Sequence, residues 1–361
     1  MSLSSPSIRF CSSRDGTRIA YAMSGQGPAL VKVVNLASHL ETDADDLVIG
    51  GMLNVLAAGR RLIRYDGRGF GLSDRDVRDV SLPRHLEDLE AVIEAAELDR
   101  YAVIGLAGGG MAAVRHTAQN ADRVSHLVLF GACLVGRTAR AQTPEAKAEA
   151  ETLLRLVEVG WGKDDPAFRQ LYTSQFMPDG TVEQFRSFNE LMRRASTPEN
   201  AGRFLREFHA LDMRDVAPRV RCPTLVLHVR GDRRIPFEQG RALAAAIPDS
   251  RFVTLDSRNH ALLPHEPALR QFEAELNAFL PSVPRTPPRA AVFEELTGRE
   301  REVLEQLARG IDNTAIGERI GMSEKTVRNN VSNILAKLDV HTRAAAIVKA
   351  RDAGFGGAPG G

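Results

Sequence analysis

Gly105-Leu106-Ala107-Gly108-Gly109 follows an apolar, β-rich run and precedes a helical one. Glycines at this spacing let a chain turn sharply from strand into helix. A hydroxyl or thiol at the centre of such a turn is presented as a nucleophile at the helix N-terminus. The centre here is Ala107, and a methyl group cannot attack a carbonyl. Two further groups stand where they would complete the site. Asp232 follows the apolar run 224–229, inside Arg230-Gly-Asp-Arg-Arg-Ile-Pro236, and His260 closes Ser257-Arg-Asn-His after the run 252–255. In acyl transfer a carboxylate orients an imidazole, and the imidazole moves the proton. Asp232 and His260 are therefore expected as an acid–base pair serving position 107. Neither Cys133 nor Ser38 sits in an elbow beside His260, so neither is expected to replace the nucleophile. Loss of the nucleophile from a catalytic triad costs about 10⁶ in turnover, or about 8 kcal/mol, so hydrolysis through activated water is expected to be slow.

These residues need elements to position them. Apolar runs occur at 30–34, 62–65, 101–104, 124–130, 224–229 and 252–255, and helical periodicity at 83–97, 109–119, 237–247 and 266–280. Strand–helix alternation of this length predicts an α/β fold with a doubly wound, mostly parallel sheet. The stretch from about 143 to 212 breaks the pattern, being helical, charged and aromatic. It is expected as a helical cap over the carboxyl edge of the sheet, where ligands bind in such folds. Trp161, the only tryptophan, is expected in the core of that cap. His39 either lines the pocket or packs behind it.

The chain has 361 residues, 43% of them hydrophobic, and a net charge of +1. That length favours two domains, and that charge excludes a chain-wide basic surface for nucleic acid. No run of 18 apolar residues suggests a membrane span, and the first residues lack the pattern of a secretion leader. Cys11, Cys133 and Cys222 are scattered and odd in number, which fits a reducing cytoplasm. No metal or cofactor is expected. Four prolines fall within residues 281–288, so 281–290 is read as a semi-rigid linker. It separates a domain at 1–280 from one at 291–361, whose Gly/Pro-rich end from 354 on is expected to fray.

The order of elbow, Gly-Asp and Asn-His, each after a strand, resembles the α/β-hydrolase superfamily over residues 1–280. Tyr65-Asp-Gly-Arg-Gly-Phe-Gly-Leu-Ser73 is similar to the D-x-R-G-x-G-x-S turn of that family, and its glycines are expected to shape a turn. Asn35-Leu-Ala-Ser-His-Leu-Glu41 resembles a sub-branch with S-H-L-E after the third strand, which commonly carries a signalling or DNA-binding module. The resemblance implies that Leu36 and Gly108 supply the N–H groups of an oxyanion site; Ser38 and His39, on the same loop, are candidate ligand contacts. Ala107 departs from the family pattern and bears on activity, not on fold.

The tail reads as three helices and one more. Thr297 with Glu300 three residues on forms a capping box, and Gly310 ends that helix. A short helix with Ala315, Ile316 and Ile320 buried comes next, then Gly321 at a turn. Ser323 caps a helix of about 16 residues, with Val327, Val331, Ile334, Leu335 and Leu338 on its apolar face. Short helix, tight turn and longer helix make a helix-turn-helix. The L-T-x-R-E-x-E-V-L opening and the S-x-x-T-V-x-x-x-V-x-x-I-x-x-K-L helix closely resemble the LuxR-type DNA-binding domain. That implies a small all-α domain whose third helix enters the major groove. Lys325, Thr326, Arg328, Asn329 and Asn330 are expected at base edges, and Lys337 and Arg343 at phosphates. From Arg285 on, twelve Lys and Arg face ten Asp and Glu, a net +2, so non-specific affinity should be modest and salt-sensitive. Such domains usually act as dimers. The helix after His341, with Ala344, Ala345, Ala346, Ile347 and Val348, is the expected dimer face.

Two functional expectations follow. One is a cytoplasmic, ligand-responsive transcription regulator whose hydrolase-fold pocket holds a small ester or lactone, while the tail of a homodimer binds operator DNA. The other is a regulator with a working ester hydrolase, in which serine at position 107 was changed to alanine to trap its ligand. A hydrolase fold serving only as a dimerisation scaffold predicts a filled cleft.

Overall fold

Mostly aliphatic strands have no face to give to water, and they lie in the interior of the sheet. β5 (Tyr101–Leu106) and β7 (Thr224–Val229) are buried at every position, as parallel strands covered by helices on both faces must be. They belong to an eight-stranded sheet with β1 (Ile8–Ser12), β2 (Arg18–Ser24), β3 (Ala29–Lys32), β4 (Arg61–Tyr65), β6 (Val124–Phe130) and β8 (Ser250–Leu255). The order is β1-β2-β4-β3-β5-β6-β7-β8. β2 is antiparallel to both β1 and β4, and every pair from β4 to β8 is parallel. The antiparallel pair at the edge is absent from the sequence reading. β1 mixes polar and apolar residues and leaves Phe10 52% exposed, so it lacks the continuous apolar run of the inner strands. The strand expected at 30–34 ends at Lys32, although Val33 N–H still bonds Ile104 C=O at 2.9 Å.

Alternate residues enter cores on opposite faces. Val31 and Val103 pack on one side, with Leu89 and Val92 of α2 (Leu82–Ala95) and Val114 of α3 (Gly109–Gln119). Leu30 and Ile104 pack on the other, with Leu53 of α1 (Ile49–Ala57) and residues of the last helix of this unit, Pro267–Phe279. Between β6 and β7 five helices interrupt the alternation: α4 (Arg137–Arg140), α5 (Pro144–Gly160), α6 (Pro166–Thr173), α7 (Val182–Ala195) and α8 (Pro198–Ala210). Thr143, Thr181 and Thr197 each accept from the N–H three residues on, at 3.2 Å in all three cases. These caps start α5, α7 and α8. Trp161 is buried among Leu154, Tyr172 and Phe188, and its Nε1 donates to Ser196 C=O at 3.0 Å. After β7 come α9 (Phe237–Ala246) and α10 (Pro267–Phe279).

The structure, a computed structural model, describes residues 7–163, 165–281, 293, 296–338, 340, 342–351 and 355–356. Chain contacts divide it into two units, Met1–Val283 and Pro284–Gly361. The proline-rich stretch lies outside the described residues after Pro281, as does His341.

The second unit is helical: α11 (Gly298–Ala308), α12 (Asn313–Ile320), α13 (Glu324–Lys337) and α14 (Arg343–Arg351). Thr297 and Glu300 bond each other reciprocally, at 2.8 and 3.2 Å, as a capping box. Asp312 caps α12 and Ser323 caps α13. Gly321 joins them at φ 68°, a left-handed turn that favours glycine. Val303, Leu307, Ile316, Val327, Ile334 and Leu338 meet in one core. Three expectations need correcting. α13 spans 14 residues. Ala315, Ile320 and Leu335 are only half-buried. Phe355, expected in a frayed end, packs its ring 5.0 Å from that of Phe293.

Candidate functional site

The elbow is built by contact. β5 ends at Leu106 and α3 starts at Gly109, leaving two residues to reverse direction. A Cβ on Gly110 would stand 2.4 Å from Ala132 Cβ, and one on Gly105 would stand 2.6 Å from Gly110 Cα, so the strand and helix meet only without side chains there. Ala107 occupies the apex at φ 50°, in the left-handed region that L residues other than glycine adopt at a cost. It is anchored by its N–H on Phe130 C=O at 2.9 Å.

Asp232 and His260, from the turns after β7 and β8, come together, and His260 lines the same cavity as Ala107. His260 Nδ1 and Asp232 Oδ2 are 2.6 Å apart, and both side chains are buried. The other oxygen of Asp232 accepts the N–H groups of Arg234 and Ile235 at 2.8 and 2.9 Å. Burial pushes the Asp232 carboxyl up, but His260 and these donors outweigh it and hold it below the usual carboxylate range. The His260 ring stacks near Phe130, with centroids 6.4 Å apart. A Cβ on Gly131, at φ 57°, would stand 2.8 Å from its Cε1. His228 was missed by sequence reasoning. Buried in β7, it lies 2.9 Å from Ile235 C=O and 3.5 Å from Asp232 Oδ2, supporting the turn that carries the acid. A histidine inside an otherwise aliphatic strand was the available signal.

A cavity of about 1120 Å³, its mouth included, opens over Ala107, His260, Leu36 and Gly108. Its walls are mostly apolar, among them Leu106, Met111, Phe176, Phe204 and Phe208. The cleft is thus open, against the filled cleft that a pure scaffold predicts. Among the described residues, the Leu36 and Gly108 N–H groups have no protein acceptor. Cys133 lies three residues beyond β6. It lines the cavity, and burial pushes its thiol up to about 11, so it is no thiolate near neutrality.

One expected ligand contact, Ser38, is corrected, and His39 takes the place behind the pocket that was one of its two expectations. Ser38 and His39 are buried but do not line the cavity. Ser38 Oγ lies 2.8 Å from Asp66 Oδ1 and 3.1 Å from Tyr65 C=O. Asp66 also accepts the N–H groups of Leu40 and Leu72, at 3.2 and 2.9 Å. The two loops are thus knotted together by one carboxylate behind the site, and the turn at 66–73 is structural.

In the second unit, Lys325, Thr326, Arg328 and Asn329 are exposed along α13, and Asn330 is half-buried with its Nδ2 on Thr326 C=O at 2.9 Å. Arg328 also meets Glu324 at 2.6 Å. The two residues expected at phosphates are engaged inside the unit. Lys337 Nζ lies 2.7 Å from Glu300 Oε2, and Arg343 bonds Asn313 Oδ1 at 2.7 Å and the Ile311 carbonyl. On the expected dimer face, Ala346 is fully buried in its own core, while Ala344, Ala345 and Val348 are exposed.

An elbow, an acid and a base after three parallel strands, with a helical insertion between the elbow and the acid, define a hydrolase-type fold. The model of the alpha/beta hydrolase fold family matches residues 44–267, and the chain belongs to that family. The model of bacterial regulatory proteins, luxR family, matches residues 294–350. AB hydrolase superfamily protein YisY of Bacillus subtilis is 30% identical over 209 residues, 56% of this chain and 75% of that protein. The transcriptional regulatory protein DegU of Brevibacillus brevis is 52% identical over 54 residues, 15% of this chain and 23% of that protein. The crystal structure of a bromoperoxidase from Bacillus anthracis shares the fold, with a TM-score of 0.63 and 23% identity over 76% of this chain and 99% of that one. The chain therefore joins a hydrolase fold to a LuxR-type helix-turn-helix, the DNA-binding module of a transcription regulator. Among the described residues, no helix is long and apolar enough to cross a membrane.

Proposed function

We propose that the hydrolase-fold unit is the sensor of this regulator. It binds a small carbonyl compound, an ester or lactone, and does not cleave it. The observation that carries this reading is Ala107 at φ 50°, lining the same cavity as the His260 of a buried Asp232–His260 pair 2.6 Å apart. The left-handed backbone costs alanine about 1–2 kcal/mol, and the pair retains hydrolytic geometry. Only the attacking atom is missing. A bound carbonyl oxygen would sit on the N–H groups of Leu36 and Gly108, as at an oxyanion hole. Ligand binding would bias the arrangement of two tails in a cytoplasmic homodimer on operator DNA. In that complex Lys325, Thr326, Arg328, Asn329 and Asn330 would read bases.

Calorimetry with an ester and lactone panel, paired with gel shifts on an operator selected from random duplexes, tests it. At least one ligand that binds should change operator affinity. Indifference of operator affinity to every ligand that binds would overturn the reading.

The same intact pair favours a second reading, a regulator that hydrolyses its signal through serine at position 107 in the natural protein. The codon for position 107 in the native gene decides between them.

A further inference from the structure

The cavity carries a charge pattern that ester binding alone does not use. Three guanidinium groups line it, Arg137 and Arg140 from α4 and Arg234 from the turn after β7, and among the described residues no Asp or Glu does. Their protein partners are few. Arg137 reaches Glu149 at 3.5 Å, a carboxylate whose side chain is 72% exposed. It also donates to Arg234 C=O at 2.8 Å. Arg140 donates to Val135 C=O at 3.1 Å. Arg234 meets Gln175 Oε1 at 3.3 Å and the Tyr172 hydroxyl at 3.4 Å, and lies over the Phe176 ring at 4.9 Å. Among the described residues, neither Arg140 nor Arg234 has a carboxylate partner.

Arg234 is buried and Arg137 and Arg140 are half-buried, and cations drawn out of water with so little counter-charge are costly. Here the cost falls on neighbours as well. Burial, reinforced by Arg234 and Arg140, pulls Arg137 down to about 10. Burial and the same three arginines push His209, also in the wall, down to about 3. A cavity that concentrates three cations and excludes carboxylates is complementary to an anion. The rest of the wall, with Met111, Phe130, Phe204 and Phe208, is complementary to hydrocarbon.

We propose that the ligand is an amphiphilic carboxylate, with its head on Arg137, Arg140 and Arg234 and its chain on the aromatic wall. Guanidinium forks match the two oxygens of a carboxylate. This rests on the reading of the cleft as a ligand site, and narrows the signal to an ester or lactone that also bears a free acid.

Calorimetry on the full chain near pH 7.5 tests it with hexanoate, octanoate and decanoate against hexanamide, octanamide and decanamide, which match in shape and lack the charge. At least one carboxylate should bind ten-fold or more tightly than its amide. Arg140→Gln and Arg234→Gln, checked for folding by circular dichroism, should each reduce that preference to under three-fold. Amides that bind as tightly as the acids overturn the anion site and leave the ester site standing. A preference that survives in both variants also overturns it. Octyl phosphate binding more tightly than octanoate overturns the carboxylate assignment. No binding by any member overturns the carboxylate site and leaves the ester reading to its own ester and lactone panel.

Discussion

Ala107 concentrates the chemistry of the first unit in one missing atom. Ala107→Ser returns an oxygen to an apex already bent for it and to a base already held by Asp232. The expected outcome is hydrolysis of p-nitrophenyl butyrate at least about 10³-fold above the parent chain, within the range lost on nucleophile removal. His260→Ala in the serine background should abolish the gain. Absence of turnover across short esters counts against a competent pair. Gly110→Ala tests the elbow. With 2.4 Å between the new Cβ and Ala132 Cβ, overpacking should cost about 1–3 kcal/mol in urea unfolding. At this scale the sequence was readable where chemistry follows a strand, as at Ala107, Asp232 and His260. It was not readable within the loop 35–41. There Leu36 faces the cavity and Ser38 turns back onto Asp66, a choice set by a carboxylate 28 positions away. The cavity arginines were missed because α4 and the turn after β7 meet only in the folded chain.

Among the elements, the capping box and α13 deserve separate tests, because one carboxylate serves both. Glu300 closes the start of α11 and holds Lys337 at the end of α13. The Lys337 ammonium, with the Thr297 N–H, holds the Glu300 carboxyl below its usual range. Thr297→Ala should cost about 1 kcal/mol of stability. Arg328→Ala should weaken binding to a selected operator by about 1–3 kcal/mol in gel shifts and relax preference at one position. Lys337→Ala should lower the thermal midpoint of the tail and leave base preference unchanged. The capping box and the apolar face of α13 were legible because both are local patterns. The Lys337–Glu300 contact joins residues 37 positions apart, and no spacing rule reports it. The β1 edge was missed for the opposite reason: a half-exposed strand carries too little apolar pattern to stand out from loop, whereas β2, buried over residues 19–22, had an apolar run that was there to read.

Across the whole molecule, buried histidines set the acid limit. Burial pushes His85 down to about 4 and His209 down to about 3. An unfolded imidazole titrates near pH 6.5. Between those values the unfolded chain binds more protons than the folded one, so stability is full above about pH 6.5 and is lost as pH falls through that window. Asp232, held below its unfolded value, adds a further loss only below about pH 4. Urea midpoints should therefore decline from pH 7.5 to pH 5. His209→Gln should decline less steeply, and a flat profile over that range contradicts the assignment.

The Glu300–Lys337 contact also changes how many ions leave when DNA arrives. Each phosphate neutralised by a lysine or arginine releases about 0.9 of a condensed counterion from duplex DNA. A lysine that stays with its glutamate releases none. The slope of log affinity against log salt should accordingly be shallower, by roughly one, than the cations of this sequence suggest. Replacing Lys337 should leave that slope where it was.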